Sequence, residues 1–421
     1  MPPRRGRNSG EGITGVELLE SVQGLSSGYG IIDMVSGVPG ILFPRGAITE
    51  LFGPKSSSKT TLVLETIAYN QKLYEQQGKT FKVLYVDYEN AVDKQVPYMK
   101  RLGMYTDPEH LTVLVPTTMQ EGCQLTSDEL KKDIYDMIVT DTIAAMRPKE
   151  EVENKFGETK NRGLKAKLMS EFLRNLTADL GTLSNPPAVI FLNQQYQDIS
   201  VQLQFGKLYD SPSSESLKFY AMLRLQLKEI SKLKEKKENP YTFESMDVVT
   251  GSVVEITAIK NKIGTPYLSS RYSLTVGVGI DIIPSVVSAC IKKGLISNKG
   301  ASKSAFQMDA KYYPEQGGIN GMSALLRLVR TNPKMALALM EDLSPVWAKE
   351  VPKYKLRAEI KDLNVISPED LQGLYGDDSD YDGDDEEGYG DDTVSDETPE
   401  FGSAADLLGT LNNKTDETVE I

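Results

Sequence analysis

The sequence predicts an α/β protein built on a doubly wound, mostly parallel sheet, and three observations carry that expectation. Seven strand-like segments (AITELF, KVLYVD, MIVTD, AVIFLN, MLRLQL, VVEITAI and RYSLTV) lie within residues 25–275, separated by helix-like ones until about position 220. The early strands are apolar almost throughout, as strands buried on both faces of a parallel sheet are. The first of them runs on as ITELFGPKSSSKTT, a strand that enters a glycine-led turn and then a helix. Strand and helix in alternation is the order of open sheets covered on both faces, with ligands at the carboxyl ends of the strands.

Taken in order, residues 1–24 are a loose start followed by a short helix, GVELLESV. Residues 25–275 form the core. Its last three strands follow one another closely, which predicts hairpins at one side of the sheet. Residues 276–375 form a small, mostly helical C-terminal domain, with helical spacing in PSVVSACIKKGL and MSALLRLVRTNPKMALALMEDL. Residues 376–421 are poor in apolar side chains and rich in Asp, Gly and Glu, and disorder is expected there.

Composition narrows the function. The chain has 421 residues, 39% of them apolar, enough for one large and one small domain. No run of eighteen apolar residues is present, so no membrane span is expected. The start, MPPRRGRNSGEG, is basic but is not followed by the apolar stretch of a secretory signal. Cys123 and Cys290 have neither metal-ligand spacing nor a disulfide framework and fit buried thiols in a reducing, cytoplasmic compartment. His110, in a DPEH turn, reads as a solvated loop residue. Seventeen acidic residues and one lysine lie in 377–421, so that segment carries −16 of the net −13 and residues 1–376 carry +3. A basic body with an acidic tail points toward nucleic acid.

The phosphate-binding pattern is a glycine, four residues, a second glycine, lysine, then serine or threonine. Here it reads Gly53, Pro54, Lys55, Ser56, Ser57, Ser58, Lys59, Thr60, Thr61. Ser58 stands where the second glycine belongs. Backbone amides of such a turn and the N-terminus of the following helix face a polyphosphate. Lys59 brings a point charge to the outer phosphates, and the Thr60 hydroxyl suits Mg²⁺. ATP and Mg²⁺ are therefore the expected cofactors. A Cβ at position 58 makes the loop less permissive, so binding is expected to survive with slower turnover.

Further chemistry falls at strand ends. KVLYVD leads into Glu89, placed to orient an attacking water, where the ordinary alternative is a solvated loop carboxylate. MIVTD ends in Asp141, a carboxylate suited to Mg²⁺ behind a phosphate loop. AVIFLN leads to Gln194, a sensor of the γ-phosphate or merely a cap on the sheet. Two long polar stretches follow, one after the Asp141 strand and one after Gln194, and loops that long inside a domain tend to be functional. Lys260 and Lys262 share a strand face.

The order of GPKSSSKTT, VDYENAVD, VTDTIAAM, FLNQ, LKFYAMLRL and IKNKI resembles the RecA family, from about Leu25 to Val276 and more loosely to about 345. The missing second glycine points to its phage-encoded, UvsX-like branch. The resemblance implies a RecA-like P-loop NTPase core in an ATP-dependent DNA recombinase, a DNA-dependent ATPase in a bacterial cytoplasm. It implies a helical filament of this chain on single-stranded DNA, strand exchange with double-stranded DNA, and a single-strand-binding or loader protein as a further partner. Lys59 and Thr60 then serve phosphate and magnesium, Glu89 is the catalytic glutamate and Asp141 holds the metal. Gln194 links the γ-phosphate to DNA, and Tyr98 stacks on adenine. Lys260 and Lys262 reach the neighbouring subunit's ATP. Residues 148–163 and 195–216 resemble the two DNA-binding loops, with Lys167 and Arg174 near the first and Phe205, Lys207, Ser213 and Ser214 in the second. Departures weaken the second loop: Gln195 to Asp198 stand where a basic residue follows the Asn-Gln pair, and Ser213-Ser214 replace a glycine pair. The competing class is a ring-forming helicase, or a regulatory ATP-binding protein, on the same core. It would share Lys59, Glu89 and Asp141 without needing both polar loops.

Overall fold

Nine strands form the central sheet of the computed structural model, which describes residues 22–153, 163–197, 209–210, 215–238, 245–298, 305–314 and 318–343. In chain order they are β1 (Ala47–Gly53), β2 (Val83–Asp87), β3 (Leu111–Leu114), β4 (Met137–Asp141), β5 (Ala188–Gln194), β6 (Leu223–Glu238), β7 (Ser245–Asn261), β8 (Ser269–Thr275) and β9 (Gly279–Asp281). Across the sheet the order is β9-β8-β7-β6-β1-β5-β4-β2-β3. The six from β6 to β3 are parallel, and β7, β8 and β9 extend the sheet antiparallel as consecutive neighbours. The doubly wound fold class and the hairpins at one side are as the sequence predicts. Short β3 and β9 were not among the expected strands: one is a four-residue edge strand and the other has three residues led by glycine, too little for a period to show.

The apolar runs are explained by two cores, one on each face. Along β2, Val83 and Tyr85 belong to one apolar cluster and Leu84 and Val86 to the other, each at most 1% exposed. Helices α1 (Lys59–Glu75), α2 (Val92–Arg101), α6 (Ile283–Lys292), α7 (Met322–Arg330) and α8 (Pro333–Leu343) contribute to the first cluster; α3 (Met119–Leu130), α4 (Leu164–Leu180) and α5 (Glu215–Tyr220) contribute to the second. The first cluster runs without interruption from Leu25 through Leu51 to Leu343, taking in a three-stranded sheet of β10 (Ile296–Asn298), β11 (Ala305–Met308) and β12 (Ile319–Asn320).

Helix α1 is enclosed on all sides. Every residue from Leu62 to Gln71 is buried, so its polar side chains need partners inside the protein. Asn70 donates to the Ser26 carbonyl at 2.8 Å, and Gln71 exchanges hydrogen bonds with the Tyr105 backbone at 3.0 and 2.7 Å. This helix, which carries the phosphate loop at its start, is therefore a rigid part of the body.

Strands β6 and β7 outrun their apolar segments. β6 pairs with β1 only over Leu223–Gln226, yet its ladder with β7 continues to Glu238 opposite Ser245. Past the sheet a two-stranded ribbon has no core to face, so the Lys- and Glu-rich sequence there satisfies it. No helix among the described residues is long and apolar enough to cross a membrane.

Candidate functional site

The site gathers where β1, β2, β4 and β5 end. Gly53 closes β1 opposite Gln194 of β5, and Asp87 closes β2 opposite Asp141 of β4. Four carboxyl-end positions that are far apart in sequence thus form one rim. The loop from Gly53 turns into α1, whose N-cap is Ser58 in the left-handed region. Lys59 Nζ donates to the carbonyls of Gly53 at 3.0 Å and Pro54 at 2.6 Å. Burial holds its ammonium down, to about 8, against the opposing pull of the Asp141 and Glu89 carboxylates. At neutral pH Lys59 is still largely an ammonium, and an incoming polyanion would hold it so more firmly.

Thr60 Oγ1 lies 3.4 Å from Asp141 Oδ2, and the Tyr85 hydroxyl donates to the same oxygen at 2.7 Å. These are hard oxygen donors. No group of three or more His, Cys, Asp or Glu able to hold a metal occurs among the described residues. One carboxylate and one hydroxyl fit an ion that takes its remaining ligands from phosphate and water, as Mg²⁺ does. Burial pushes the Asp141 carboxyl up to about 6; hydrogen bonds from Tyr85 and Thr60 oppose the rise, while Glu89 and Asp87 add to it.

That value has a testable consequence. Mg²⁺ binds the carboxylate and not the acid, so the gain in ATP affinity that Mg²⁺ confers is expected to fall as pH drops through about 6. Well below it the loss approaches roughly tenfold per pH unit. For the free protein the sign is opposite. A carboxyl raised above its unfolded value favours the folded state at low pH, and that contribution disappears as pH rises through about 6. Fluorescent-ATP titrations with and without Mg²⁺ at several pH values measure the first effect, with Asp141→Asn as reference because ATP itself titrates nearby. A pH dependence identical in parent and Asp141→Asn would remove Asp141 as a candidate metal ligand.

Glu89 sits on a turn that Asp87 builds. Asp87 accepts the amides of Glu89 at 2.9 Å, Ala91 at 2.8 Å and Val92 at 2.9 Å, so one carboxylate both shapes the turn and caps α2. Glu89 is left exposed toward the rim, and Gln194 Nε2 donates to it at 3.4 Å. On α2, the Tyr98 hydroxyl is 3.2 Å from Thr61 Oγ1, which sets its ring beside the first turn of α1.

Lys59, Thr60, Glu89, Asp141, Gln194 and Tyr98 are therefore brought together. Lys260 and Lys262 are not. Lys260 is in register with Arg224, and Arg224 with Glu50, three residues before Gly53. The Lys262 amide donates to the Met222 carbonyl, and Met222 in turn to that of Ile48. Five strand residues separate that level from Gly53, about 16 Å along the sheet. Lys260 Nζ donates to the carbonyls of Lys218 at 2.5 Å and Phe219 at 2.9 Å at the end of α5. Burial, with Lys262 and Arg224 nearby, holds that ammonium below its usual value. Lys262 Nζ lies 5.7 Å from the ring of Phe219, which is 70% exposed.

Lys167 and Arg174 are exposed on α4. Phe205, Lys207, Ser213 and Ser214 lie outside the described residues, as do 154–162 and the acidic tail. The segment following Gln194 starts and ends in a two-residue antiparallel ladder, Tyr196 opposite Asp210 and Gln197 opposite Tyr209. The Gln195 side chain is tied to Gln226 of β6 at 3.2 Å.

Sequence reading missed Tyr85, Asp87 and Glu50. The last had a signal: an acid in the middle of a strand buried on both faces demands partners. Glu50 is fully buried, accepting from Arg224 Nε at 2.5 Å and Asn193 Nδ2 at 2.9 Å. It bridges β1, β5 and β6 directly behind the rim.

A profile of the RecA N-terminal domain matches residues 10–281. The chain is 32% identical over 323 residues to the Protein RecA of Methylobacterium radiotolerans, covering 76% of this chain and 78% of that protein. It is also 32% identical over 329 residues to the Protein RecA of Rhizobium etli, with 76% and 80% covered. A third, from Zymomonas mobilis, is 32% identical over 281 residues, with 66% and 71% covered.

Proposed function

Since the chain belongs to the RecA family and is a RecA-like recombinase, we propose that it hydrolyses ATP in response to single-stranded DNA, at sites completed between neighbouring subunits of a filament. One observation carries this proposal: the phosphate-side residues and the lysine pair lie toward opposite ends of the strands of one sheet. Lys260 and Lys262 lie about 10 and 16 Å down the sheet from the level of Gly53, away from their own loop and on a surface with an exposed phenylalanine, ready to meet another copy.

The geometry supports the following roles. Loop amides and Lys59 hold the β- and γ-phosphates. Thr60 and Asp141 would hold Mg²⁺, which would supply positive charge to neutralise the phosphates. Glu89 accepts a hydrogen bond from the attacking water and aligns it. Lys260 and Lys262 of the adjacent subunit add positive charge where it grows most negative. Gln194 touches Glu89 and opens the segment assigned to DNA, so a shift of that segment on DNA changes how Glu89 is held. A loader or single-strand-binding partner rests on family likeness alone.

ATPase assays with and without single-stranded DNA test this function. Stimulation is expected in the parent. In the variant carrying Lys260→Ala and Lys262→Ala, DNA-stimulated turnover is expected to fall at least tenfold while the subunit stays folded. Losing the contacts to the α5 carbonyls costs about 1 kcal/mol, which melting curves will show. Assembly by light scattering and hydrolysis both at parental levels would remove the pair from the site.

A further inference from the structure

Ser58 is the departure in the phosphate loop, and its backbone shows what the departure entails. Its φ is +63° and its ψ +14°, a region that glycine enters freely and a residue with a Cβ enters at a penalty. It is also the residue that opens α1, whose first amides face phosphate. Its side chain makes no capping bond to that helix. Instead, Ser58 Oγ lies 2.7 Å from the hydroxyl of Tyr272 on β8. Tyr272 is fully buried and Ser58 is 7% exposed. A tyrosine hydroxyl inside a core requires a partner, and the loop serine supplies it.

This attachment is reinforced. Two turns along α1, on the same face, Glu65 is 1% exposed and accepts the Ile280 amide at 2.6 Å as well as the Tyr29 hydroxyl. Ile280 belongs to β9, the partner of β8. Gly279 beside it has φ +116°, and a Cβ there would meet Glu65 Oε1 at 2.2 Å. The glycine is what lets the carboxylate reach the strand. The β8–β9 hairpin thus grips α1 at its cap and again at its second turn.

We propose that Tyr272 is a positioning residue for the nucleotide. Its hydroxyl holds Ser58 in the left-handed conformation that glycine would adopt unaided, and so keeps the loop shaped for phosphate. The pair does for this loop what the missing glycine would do, and it ties the loop's shape to the antiparallel half of the sheet. The proposal rests on residues 53–60 being the phosphate loop.

The test is binding of a fluorescent ATP analogue with Mg²⁺ to the full chain and its variants, with melting temperature measured alongside. Tyr272→Phe keeps the ring and removes the hydroxyl, and affinity is expected to weaken about five- to tenfold, the worth of one such bond. Ser58→Ala approaches the pair from the other side, leaves the core ring in place, and is expected to weaken binding similarly. Adding Ser58→Gly to Tyr272→Phe is expected to restore affinity to within about threefold of the parent, because glycine needs neither the partner nor the conformational penalty. Parental affinity in both Tyr272→Phe and Ser58→Ala would overturn the proposal. So would a double variant as weak as Tyr272→Phe, since the hydroxyl would then act by some route other than the conformation of Ser58. A parent that binds no nucleotide would overturn the phosphate-loop assignment itself, a result distinct from either.

Discussion

Lys59→Ala is expected to abolish measurable ATP hydrolysis, and Glu89→Gln to suppress it while leaving ATP binding nearly intact. Lys59 is half-buried at the mouth of the loop, with Asp141 and Glu89 close enough to act on its charge. Its removal takes a preorganised cation from the phosphoryl group in transfer, a kind of loss that costs ~10²–10³ in rate. Glu89 is exposed on a turn whose shape is fixed by Asp87 and not by its own carboxylate. Gln therefore fits the same position, keeps the contact range of Gln194, and loses only the negative charge that aligns water. Filaments of Glu89→Gln on DNA should consequently persist. Phosphate release and analogue binding, measured on the same preparations, separate the two variants. A Glu89→Gln protein turning over at the parental rate would leave the water-orienting role without support.

What could be read in the sequence was whatever is written locally. The phosphate loop, the strand ends at Asp141 and Gln194, and Glu89 each sit beside a short apolar strand, and the sheet places consecutive strand ends on one rim. Partners far apart in sequence could not be read. Glu50 and Arg224 meet across 174 residues and Ser58 and Tyr272 across 214, and nothing in either local pattern names the other. The β6–β7 ribbon escaped for a different reason. Its outer half is paired but not packed, so the alternation that marks a half-buried strand has no cause to appear. The lysine pair was legible as a pair, yet only the strand register shows that it lies away from its own loop. Phe219, beside Lys262, stands next to one other aromatic residue, Tyr220, in LKFYAMLRL, and its exposure is evident only with the end of α5 in place.

Arg224→Ala is expected to be among the most destabilising single substitutions in the core. Its guanidinium is the counter-ion of Glu50, which has no exposed surface, and it also lies 4.9 Å from the ring of Phe52. Cutting it away leaves a carboxylate inside the sheet with only Asn193 to bond. Breaking a buried pair from one side costs about 3–5 kcal/mol, a large share of the ~5–15 kcal/mol that holds a domain folded. The expected result is a clear drop in the urea midpoint, together with weakened DNA stimulation, because Asn193 immediately precedes Gln194 on β5. Adding Glu50→Gln should recover a large part of the stability. The amide carries no charge to strand and still offers an oxygen to Asn193 Nδ2, the bond now made at 2.9 Å. Equal losses in the single and double variants would mean that the stranded charge is not the cause, and that Arg224 contributes through its packing on Phe52 instead.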